Sequence, residues 1–218
     1  MTTTKDIEPN KEYWDDFYKR SLKHIPSQFC VCVATEIPET AAVVELGSGN
    51  GRDSLYFASR GHQTIAVDLS QQAINACNES ANEKGFHQMD FHQMDLTDKD
   101  SLENLVSSTR KKLTDTNLIF YSRFIIHSLD DEQEDIFLSI LSGLMLAKEN
   151  VYFEFRSKED ASLEKIHKNH FRRYVDTDQF IEKLKNLGFE IDYRITGKGM
   201  AKYKNEDPFV SRIFATKI

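Results

Sequence analysis

Short apolar runs alternate with helical patterns along most of this 218-residue chain. The clearest runs are AAVVEL (41–46), HQTIAVDLS (62–70), NLIFYS (117–122) and NVYFEF (150–155). Runs of this length that end at turn residues indicate buried strands, whereas the segments between them have the spacing and the capping residues of helices. Strands that alternate with helices predict a parallel sheet covered on both faces. The chain is therefore expected to fold as an α/β protein.

The remaining strands are weaker patterns. FHQMDL (91–96) is predicted as a short third strand, and FEIDYRI (189–195) and PFVSRIFATK (208–217) as the last two strands. A Gly-rich connection without a helical pattern joins these last two, so they are expected to form an antiparallel hairpin at the edge of the sheet. Ser70 is expected to cap the helix that follows the second strand, and Gly85 to end it.

Composition excludes several classes of protein. The formal net charge of −7 argues against general nucleic-acid binding, because a field of that sign repels phosphates. No apolar run approaches the roughly 18–20 residues of a membrane span, and the polar start MTTTKDIEPNKEYWDD does not resemble a signal peptide. A cytoplasmic location is expected. Cys30, Cys32 and Cys77 are expected to be free thiols, and no metal site is predicted.

A glycine-rich loop, ELGSGNGRDS (45–54), follows the first strand. Gly47, Gly49 and Gly51 allow a tight turn and let a ligand approach bare backbone. The loop differs from the dinucleotide fingerprint G-x-G-x-x-G, since Arg52 stands where that motif needs glycine. A glycine loop of this kind also occurs as a ligand-free turn, so the surrounding residues decide.

Acidic residues follow the neighbouring strands. Asp68 ends the second strand, where a carboxylate can accept both hydroxyls of a ribose. FHQMD occurs twice in residues 86–95, ending in Asp90 and Asp95, and we expect Asp95 to lie at the carboxyl end of the third strand. There it can accept a hydrogen bond from an adenine amine, so Asp95→Ala is predicted to weaken cofactor binding and Asp90→Ala is not. With Glu45, these acids suit a cationic ligand better than a phosphate.

In that order and at that spacing, VVELGSGNGRDSLYFA, IAVDLS, FHQMDLTD and LIFYSRFIIHSLDDE resemble the class I S-adenosylmethionine (SAM)-dependent methyltransferases over residues 41–130. The resemblance implies a Rossmann-like, doubly wound, seven-stranded sheet, mostly parallel with an antiparallel last strand. It implies a single methyltransferase domain, residues 1–218, with SAM over the glycine loop and N-terminal helices in residues 10–38 that cover the cofactor. The cofactor-binding residues that it implies, or that flank those positions, are Trp14, Tyr18, Glu45, Gly47, Ser48, Gly49, Gly51, Asp68, Leu69, Asp95, Leu96 and Tyr121.

Candidates for the acceptor side follow the fourth and fifth strands. His127 is a candidate general base, Arg123 a candidate substrate contact, and Glu154 a second candidate base. Glu154 and Arg156 are two residues apart on one face of a strand and are expected to form an ion pair. A basic collection in and near the 156–175 segment, expected to be a substrate lid, predicts an anionic acceptor. The proposed substrate-binding residues are Arg156, His170, Arg172, Arg173 and Lys198.

The combination of YSRF-x-x-H, E-x-R, HFRRY and GMAKYKNEDPFVSR looks like a subgroup that modifies bacterial surface polysaccharides. It implies an O-methyltransferase for a saccharide-type acceptor that carries a phosphate or carboxylate, the acceptor being a small molecule or a glycan. A phosphate needs arginines and no base, whereas a sugar hydroxyl needs a base. The alternatives are a detoxifying methyltransferase of the thiopurine or tellurite type and a non-catalytic SAM-binding partner protein. The oligomeric state is not predicted.

Overall fold

The computed structural model describes residues 14–15, 25–114, 116–163, 165 and 171–218. The chain divides into two compact units, Met1–Ile119 and Phe120–Ile218. Each unit is described by itself below. The prediction of one domain over residues 1–218 stays a prediction.

Seven strands make up one sheet. They are β1 (Ala42–Leu46), β2 (Thr64–Asp68), β3 (Met89–Gln93), β4 (Leu118–Arg123), β5 (Asn150–Arg156), β6 (Phe189–Gly197) and β7 (Val210–Lys217). The order is β3-β2-β1-β4-β5-β7-β6. β1, β2 and β3 pair in parallel, whereas β7 runs antiparallel to both β5 and β6. The predicted Rossmann-like sheet, mostly parallel with an antiparallel last strand, is confirmed.

Helices connect the strands. The described ones are α1 (Gln28–Glu36), α2 (Arg52–Ser59), α3 (Gln71–Lys84), α4 (Lys99–Lys112), α5 (Asp131–Leu144) and α6 (Thr177–Asn186), with 3₁₀ turns at Ile126–Ser128 and Lys158–Ser162. Of the N-terminal helices expected in residues 10–38, α1 and the helical pair Trp14–Asp15 are described, and the rest lies outside the described residues. No helix in the described ranges is long and apolar enough to cross a membrane.

In the first unit, local sequence signals set the element ends. Ser70 accepts a hydrogen bond from the Ala73 amide and so caps α3, and Gly85 ends α3 with φ +69°. Both predictions are confirmed. β1 and β2 are buried along their whole length, which explains why their apolar runs were easy to recognise.

The third strand begins earlier than predicted. β3 is Met89–Gln93 rather than residues 91–96, because it is an edge strand in which only Phe91 is buried. An edge strand with half-exposed residues has no continuous apolar run, so its register was not visible in the sequence. Asp90 lies inside the strand, opposite Ile65 of β2, and Asp95 follows the end of the strand.

In the second unit, aromatic side chains form the centre of the core. Phe153 and Phe155 of β5 meet Phe180 of α6 edge-on, with ring centroids 5.2 Å and 4.7 Å apart. Such edge-to-face pairs contribute about 0.5–1.5 kcal/mol beyond their burial. α5 begins with a capping box, in which Asp130 and Gln133 bond each other's backbone amides. One face of β5 is thus fixed in the core, and its alternate residues are left for polar contacts.

Candidate functional site

The loop after β1 turns through three glycines with left-handed backbone, Gly47 (φ +87°), Gly49 (φ +54°) and Gly51 (φ +71°). Conformation and space both demand glycine at position 51. A Cβ there would lie 2.6 Å from Cys77 Sγ, closer than real Cβ contacts, and 3.5 Å from the Phe91 ring. The glycine loop is therefore packed tightly against the first unit, and the amides of its three glycines all donate to oxygens of the protein.

Asp68, at the end of β2, holds this loop. Its Oδ2 accepts a hydrogen bond from the Gly49 amide at 2.8 Å, and its Oδ1 accepts one from the Ser70 amide at 2.9 Å. Burial raises the pKa of Asp68, and these amide bonds act in the opposite direction. Each carboxylate oxygen can accept more than one hydrogen bond, so Asp68 retains the capacity to accept from ribose hydroxyls.

Glu45 lies underneath the loop. It is buried, and the hydroxyl of Ser54 on α2 donates to its Oε2. Burial, followed by the charge of Asp53, raises the pKa of Glu45 well above its usual range. Glu45 therefore adds less negative charge than its sequence position predicted. Its direct contact with a cofactor stays a prediction.

Ser48 has a buried hydroxyl inside the glycine loop. Apart from the thiol of Cys77, it has no hydrogen-bond partner in the part of the chain that the structure describes. Burial raises the pKa of Cys77, so this neighbour is a neutral thiol and a weak partner. A buried polar group without a good partner costs about 1–3 kcal/mol. A ligand that bonds Ser48 would recover that cost, so the loop fits a bound polar group.

Asp95 and Asp90 are in different environments. Asp95 follows β3, and its Oδ1 accepts from the amide and the hydroxyl of Thr97, at 2.9 Å and 2.8 Å. Asp90 is half-exposed within β3 and lies 3.1 Å from His92 Nε2 and 3.9 Å from Lys112 Nζ. The position of Asp95 at the carboxyl end of its strand supports the preference for Asp95, which stays a prediction, as do the roles of the neighbouring Leu96 and Leu69.

Asp15 is a further acid that the sequence analysis missed. The hydroxyl of Ser70 donates to Asp15 Oδ1, and the amide of Gln72 lies 3.5 Å from the same oxygen. Asp15 and Ser70 are 55 residues apart, so no local sequence signal pairs them. The adjacent Trp14 is half-buried, and Tyr18 lies outside the described residues.

In the second unit, the candidate base Glu154 is fully buried between two arginines. Arg123 Nε donates to its Oε1 and Arg212 Nε to its Oε2, both at 2.8 Å. The expected ion pair between Glu154 and Arg156 is wrong. Arg212 of β7 lies directly opposite Glu154 of β5, and this cross-strand neighbour takes the place of the residue two positions along the strand.

Arg156 pairs elsewhere. It is buried, and its guanidinium bonds the carboxylates of Asp160, at 2.7 Å, and Glu206. It thus links the end of β5 to the 3₁₀ turn and to the loop before β7. Two carboxylates bond its terminal nitrogens, and its guanidinium lies 5.7 Å from the centre of the Phe124 ring, so its predicted contact with substrate stays a prediction.

Arg173 is also engaged within the second unit. Its Nε donates to the Leu129 carbonyl at 2.7 Å, and its two terminal nitrogens pair with Asp131 and Glu134. This arginine therefore anchors the end of the 156–175 segment to the start of α5. Its side chain pairs with the buried carboxylate of Glu134 instead of extending into solvent.

The other predicted substrate residues are scattered. Arg172 is half-buried, and Lys198 Nζ lies 5.7 Å from the centre of the Phe209 ring. His170 lies outside the described residues. Nothing among the described contacts brings Arg172 and Lys198 together, so their substrate role stays a prediction. Tyr121 is fully buried in β4.

His127 lies in the 3₁₀ turn after β4 and is buried. Its Nδ1 is 3.2 Å from the backbone N–H of Arg156. A backbone N–H can only donate, so Nδ1 carries the lone pair and the proton of the neutral ring is on Nε2. In this state His127 presents a hydrogen-bond donor. To act as a base at Nε2, it would have to lose the Arg156 bond; its role as a base stays a prediction.

Phe124 connects these side chains and was not recognised in the sequence. It has left-handed backbone, φ +62°, which is uncommon for a bulky residue. Its amide donates to the Glu154 carbonyl at 2.7 Å. The Arg123 guanidinium stacks over its ring at 4.0 Å, and the His127 ring meets it edge-on at 5.1 Å. Strained residues of this kind cluster at functional sites, so we place Arg123, Phe124, His127, Glu154 and Arg212 in one acceptor cluster.

Comparison with known proteins agrees with this geometry. Residues 43–139 match the family described as "Methyltransferase domain". A curated relative, tRNA 5-carboxymethoxyuridine methyltransferase of Escherichia coli (strain K12), is 40% identical over 48 residues. The matched stretch is 22% of this chain and 18% of that relative, so the chain spans less than a fifth of its length.

Solved structures match over nearly the whole chain. A SAM-dependent methyltransferase from Anabaena variabilis ATCC 29413 superposes with a TM-score of 0.72 at 16% identity, covering 95% of this chain and 93% of that one. The glycopeptide N-methyltransferase MtfA in complex with SAM gives 0.64 at 15% identity, covering 89% and 88%. At such identities the likeness shows the fold. These structures confirm the predicted fold, and the family match over residues 43–139 agrees with the prediction of a SAM-dependent methyltransferase with SAM as its cofactor.

Proposed function

We propose that this protein is an O-methyltransferase that transfers a methyl group from SAM to an acceptor oxygen that is already an anion. The observation that carries the proposal is the acceptor cluster. Two guanidinium groups, those of Arg123 and Arg212, pair with the one carboxylate of Glu154. A partly buried site with excess positive charge attracts a carboxylate or phosphate, which arginine recognises through paired hydrogen bonds.

The same cluster offers no group set to remove a proton. The oxygens of Glu154 accept from two guanidinium groups, and His127 Nδ1 accepts from the Arg156 amide. Glu154 thus orients the two arginines that are proposed to bind the anion. A carboxylate or phosphate needs only alignment with the methyl donor, whereas a sugar hydroxyl needs a base. Of the two mechanisms that the sequence left open, the geometry favours the one without a base.

The cofactor side rests on the residues of the first unit. SAM, when bound, supplies an electrophilic methyl group. The close approach that the glycines allow and the Ser48 hydroxyl suit its polar methionine part, and Asp68 suits the ribose hydroxyls. Asp95 and Leu96 remain the proposed adenine contacts.

The acceptor class is proposed from two sources. The sequence resemblance favours a saccharide-type acceptor in bacterial glycan biosynthesis, in the cytoplasm. The name of the curated relative describes a uridine that carries a carboxymethoxy group, which is also an anionic oxygen acceptor. Because the net charge of −7 opposes binding to a large polyanion, we propose a small or glycan acceptor rather than tRNA.

Release of S-adenosylhomocysteine (SAH) by the purified protein tests the proposal. Matched acceptor pairs are glucuronate against glucose, and oligosaccharides with against those without a terminal phosphate. Turnover of the anionic member alone is expected. Turnover of the neutral member would contradict the proposal and restore the need for a base. SAH binding without turnover of any acceptor would favour a non-catalytic SAM-binding protein.

Two variants of one residue test the role of His127. The terminal amide of Gln in His127→Gln can still donate a hydrogen bond where Nε2–H does, whereas His127→Phe keeps a ring and loses the donor. If His127 acts as a hydrogen-bond donor, His127→Gln should retain roughly a third or more of kcat/KM. His127→Phe should lose at least tenfold, about 1.4 kcal/mol. Equal and near-complete loss in both variants would identify a base instead.

A further inference from the structure

Asp15 lies beside the candidate ribose site without a role in the function proposed above. Its carboxylate accepts the hydroxyl proton of Ser70 and approaches the amide of Gln72 at 3.5 Å. Both partners belong to the start of α3, which follows β2 directly. A residue from the N-terminal part of the chain is thus held at the end of the strand that supplies Asp68.

Ser70 connects the two acids. Its hydroxyl donates to Asp15 and accepts from the Ala73 amide at 3.2 Å, while its own amide donates to Asp68 Oδ1 at 2.9 Å. The side chain of Ser70 is fully buried and bonded on both sides, so its rotamer is fixed. Asp68 extends the connection to the glycine loop, because its second oxygen accepts a hydrogen bond from the Gly49 amide at 2.8 Å.

The result is a continuous chain of hydrogen bonds from Asp15 through Ser70 and Asp68 to Gly49. We propose that Asp15 is a positioning residue of the cofactor site, which acts through Ser70 to hold the Asp68 carboxylate where it can receive the ribose of SAM or SAH. This inference rests on the proposed SAM site. It adds a residue of the N-terminal segment to the cofactor machinery.

Electrostatics supports the arrangement. Asp15 and Asp68 are both acids, and the charge of Asp15 contributes to the raised pKa of Asp68. The positive end of the α3 dipole lies at the same point and offsets part of this repulsion. Ser70 bonds each carboxylate through a separate donor, its hydroxyl for Asp15 and its amide for Asp68. The chain thus places two acids at one helix start, which an isolated helix cap would not need.

The simpler alternative is that Asp15 only caps α3. A cap contributes to stability, typically about 1 kcal/mol, and its loss lowers the unfolding temperature without changing the affinity of the folded protein for a ligand. A positioning residue changes that affinity. Affinity for SAH, measured by calorimetry on protein shown to be folded, therefore separates the two roles.

The experiment uses the full chain and SAH as the probe. Asp15→Ala is expected to weaken SAH binding about tenfold, the range of a lost charge-assisted hydrogen bond. Asp15→Asn keeps an oxygen that accepts from Ser70 and is expected to stay within about threefold of the wild type. Asp100→Ala, which removes an acid from the first turn of α4, is the matched control and is expected to bind as the wild type does.

A double-mutant cycle tests the path through Ser70. In a Ser70→Ala background, Asp15→Ala is expected to add less than about a twofold loss, because the connection is already broken. A full tenfold further loss would overturn the path. Wild-type affinity in Asp15→Ala, or equal loss in Asp15→Asn and Asp15→Ala, would overturn the positioning role. Failure of the wild type to bind SAH would instead reject the proposed function, and the inference with it.

Discussion

The loops after β1 and β4 both pass through left-handed backbone, but they do so with opposite kinds of residue. After β1, glycines adopt φ values of +54° to +87° at no steric cost. After β4, Phe124 adopts φ +62° with a large side chain, at a cost of roughly 1–3 kcal/mol. The first loop is built to let a ligand approach the backbone. The second uses strain to place a ring under Arg123.

This difference shows which kinds of site a sequence reveals. A glycine in a sequence indicates where left-handed backbone is permitted, so the first loop could be located from residues 45–54 alone. A phenylalanine in a sequence indicates only burial. The unusual backbone of Phe124 depends on its contact with β5, where its amide donates to the Glu154 carbonyl. The candidate cofactor site is therefore easier to recognise in this sequence than the candidate acceptor site. The two loops can be compared experimentally by changing what each one depends on.

The largest effect is expected at Glu154, on which the second loop depends. Glu154→Ala leaves Arg123 and Arg212 without their shared carboxylate, and the loss of one member of a buried ion pair typically costs about 3–5 kcal/mol. Urea unfolding followed by fluorescence measures the change. Glu190→Ala, at an exposed position of β6, is the control and is expected to shift stability by less than about 0.5 kcal/mol. A small effect at Glu154 would show that it does not organise the cluster.

Gly51→Ala is expected to have the next largest effect, in the first loop. The new Cβ would lie 2.6 Å from Cys77 Sγ, and the residue would keep φ +71°. Strain and overpacking together predict a loss of about 2–4 kcal/mol and much weaker SAH binding. Chemical unfolding and calorimetry measure both quantities.

Gly85→Ala is the matched control for this prediction. Gly85 has a similar φ, +69°, and nothing within 4 Å of its Cβ position, so only the backbone cost of about 1 kcal/mol remains. Cys77→Ala is expected to rescue part of the Gly51→Ala defect by removing the clashing sulfur. Equal losses at positions 51 and 85 would show that the close approach to Cys77 does not matter.

The sequence predicted local features well and long-range polar contacts badly. The Ser70 cap, the Gly85 stop and the glycine loop each depend on neighbours within a few residues, and all were found. The partner of Glu154 is Arg212, 58 residues away, brought opposite by the antiparallel pairing of β7 with β5. That register is a property of the sheet, so spacing along the chain favoured Arg156 instead. The expected arginine patch stays a prediction, and spacing along the chain did not reveal that Arg156 meets Glu206 or that Arg173 meets Asp131 and Glu134.

A pH-dependent effect on stability is expected at Glu45, at the end of β1 before the first loop. Its folded-state pKa is raised above that of the unfolded chain, so the folded protein binds a proton more tightly. Stability linked to Glu45 is then full below the ordinary carboxyl pKa and is lost as pH rises toward the folded pKa. Glu45→Gln, which resembles the protonated acid, should be more stable than the wild type at neutral pH and lose this advantage near pH 4. Urea titrations across that range test the sign.

The smallest net change in stability is expected for Phe124→Gly, which gives the second loop the residue type that the first loop has. Glycine would relieve the left-handed strain, about 1–2 kcal/mol, while the stacking of the ring with Arg123 and His127 would be lost at a similar cost. Stability should therefore stay within about 1 kcal/mol of the wild type. Activity should fall, because the guanidinium group of Arg123 loses the ring that fixes the orientation of its plane. We expect kcat/KM for an anionic acceptor to fall at least tenfold. Phe124→Tyr keeps both the ring and the strain and should retain activity. If glycine were as active as phenylalanine, the strain would have no part in the acceptor site, and the two loops would differ only in residue type.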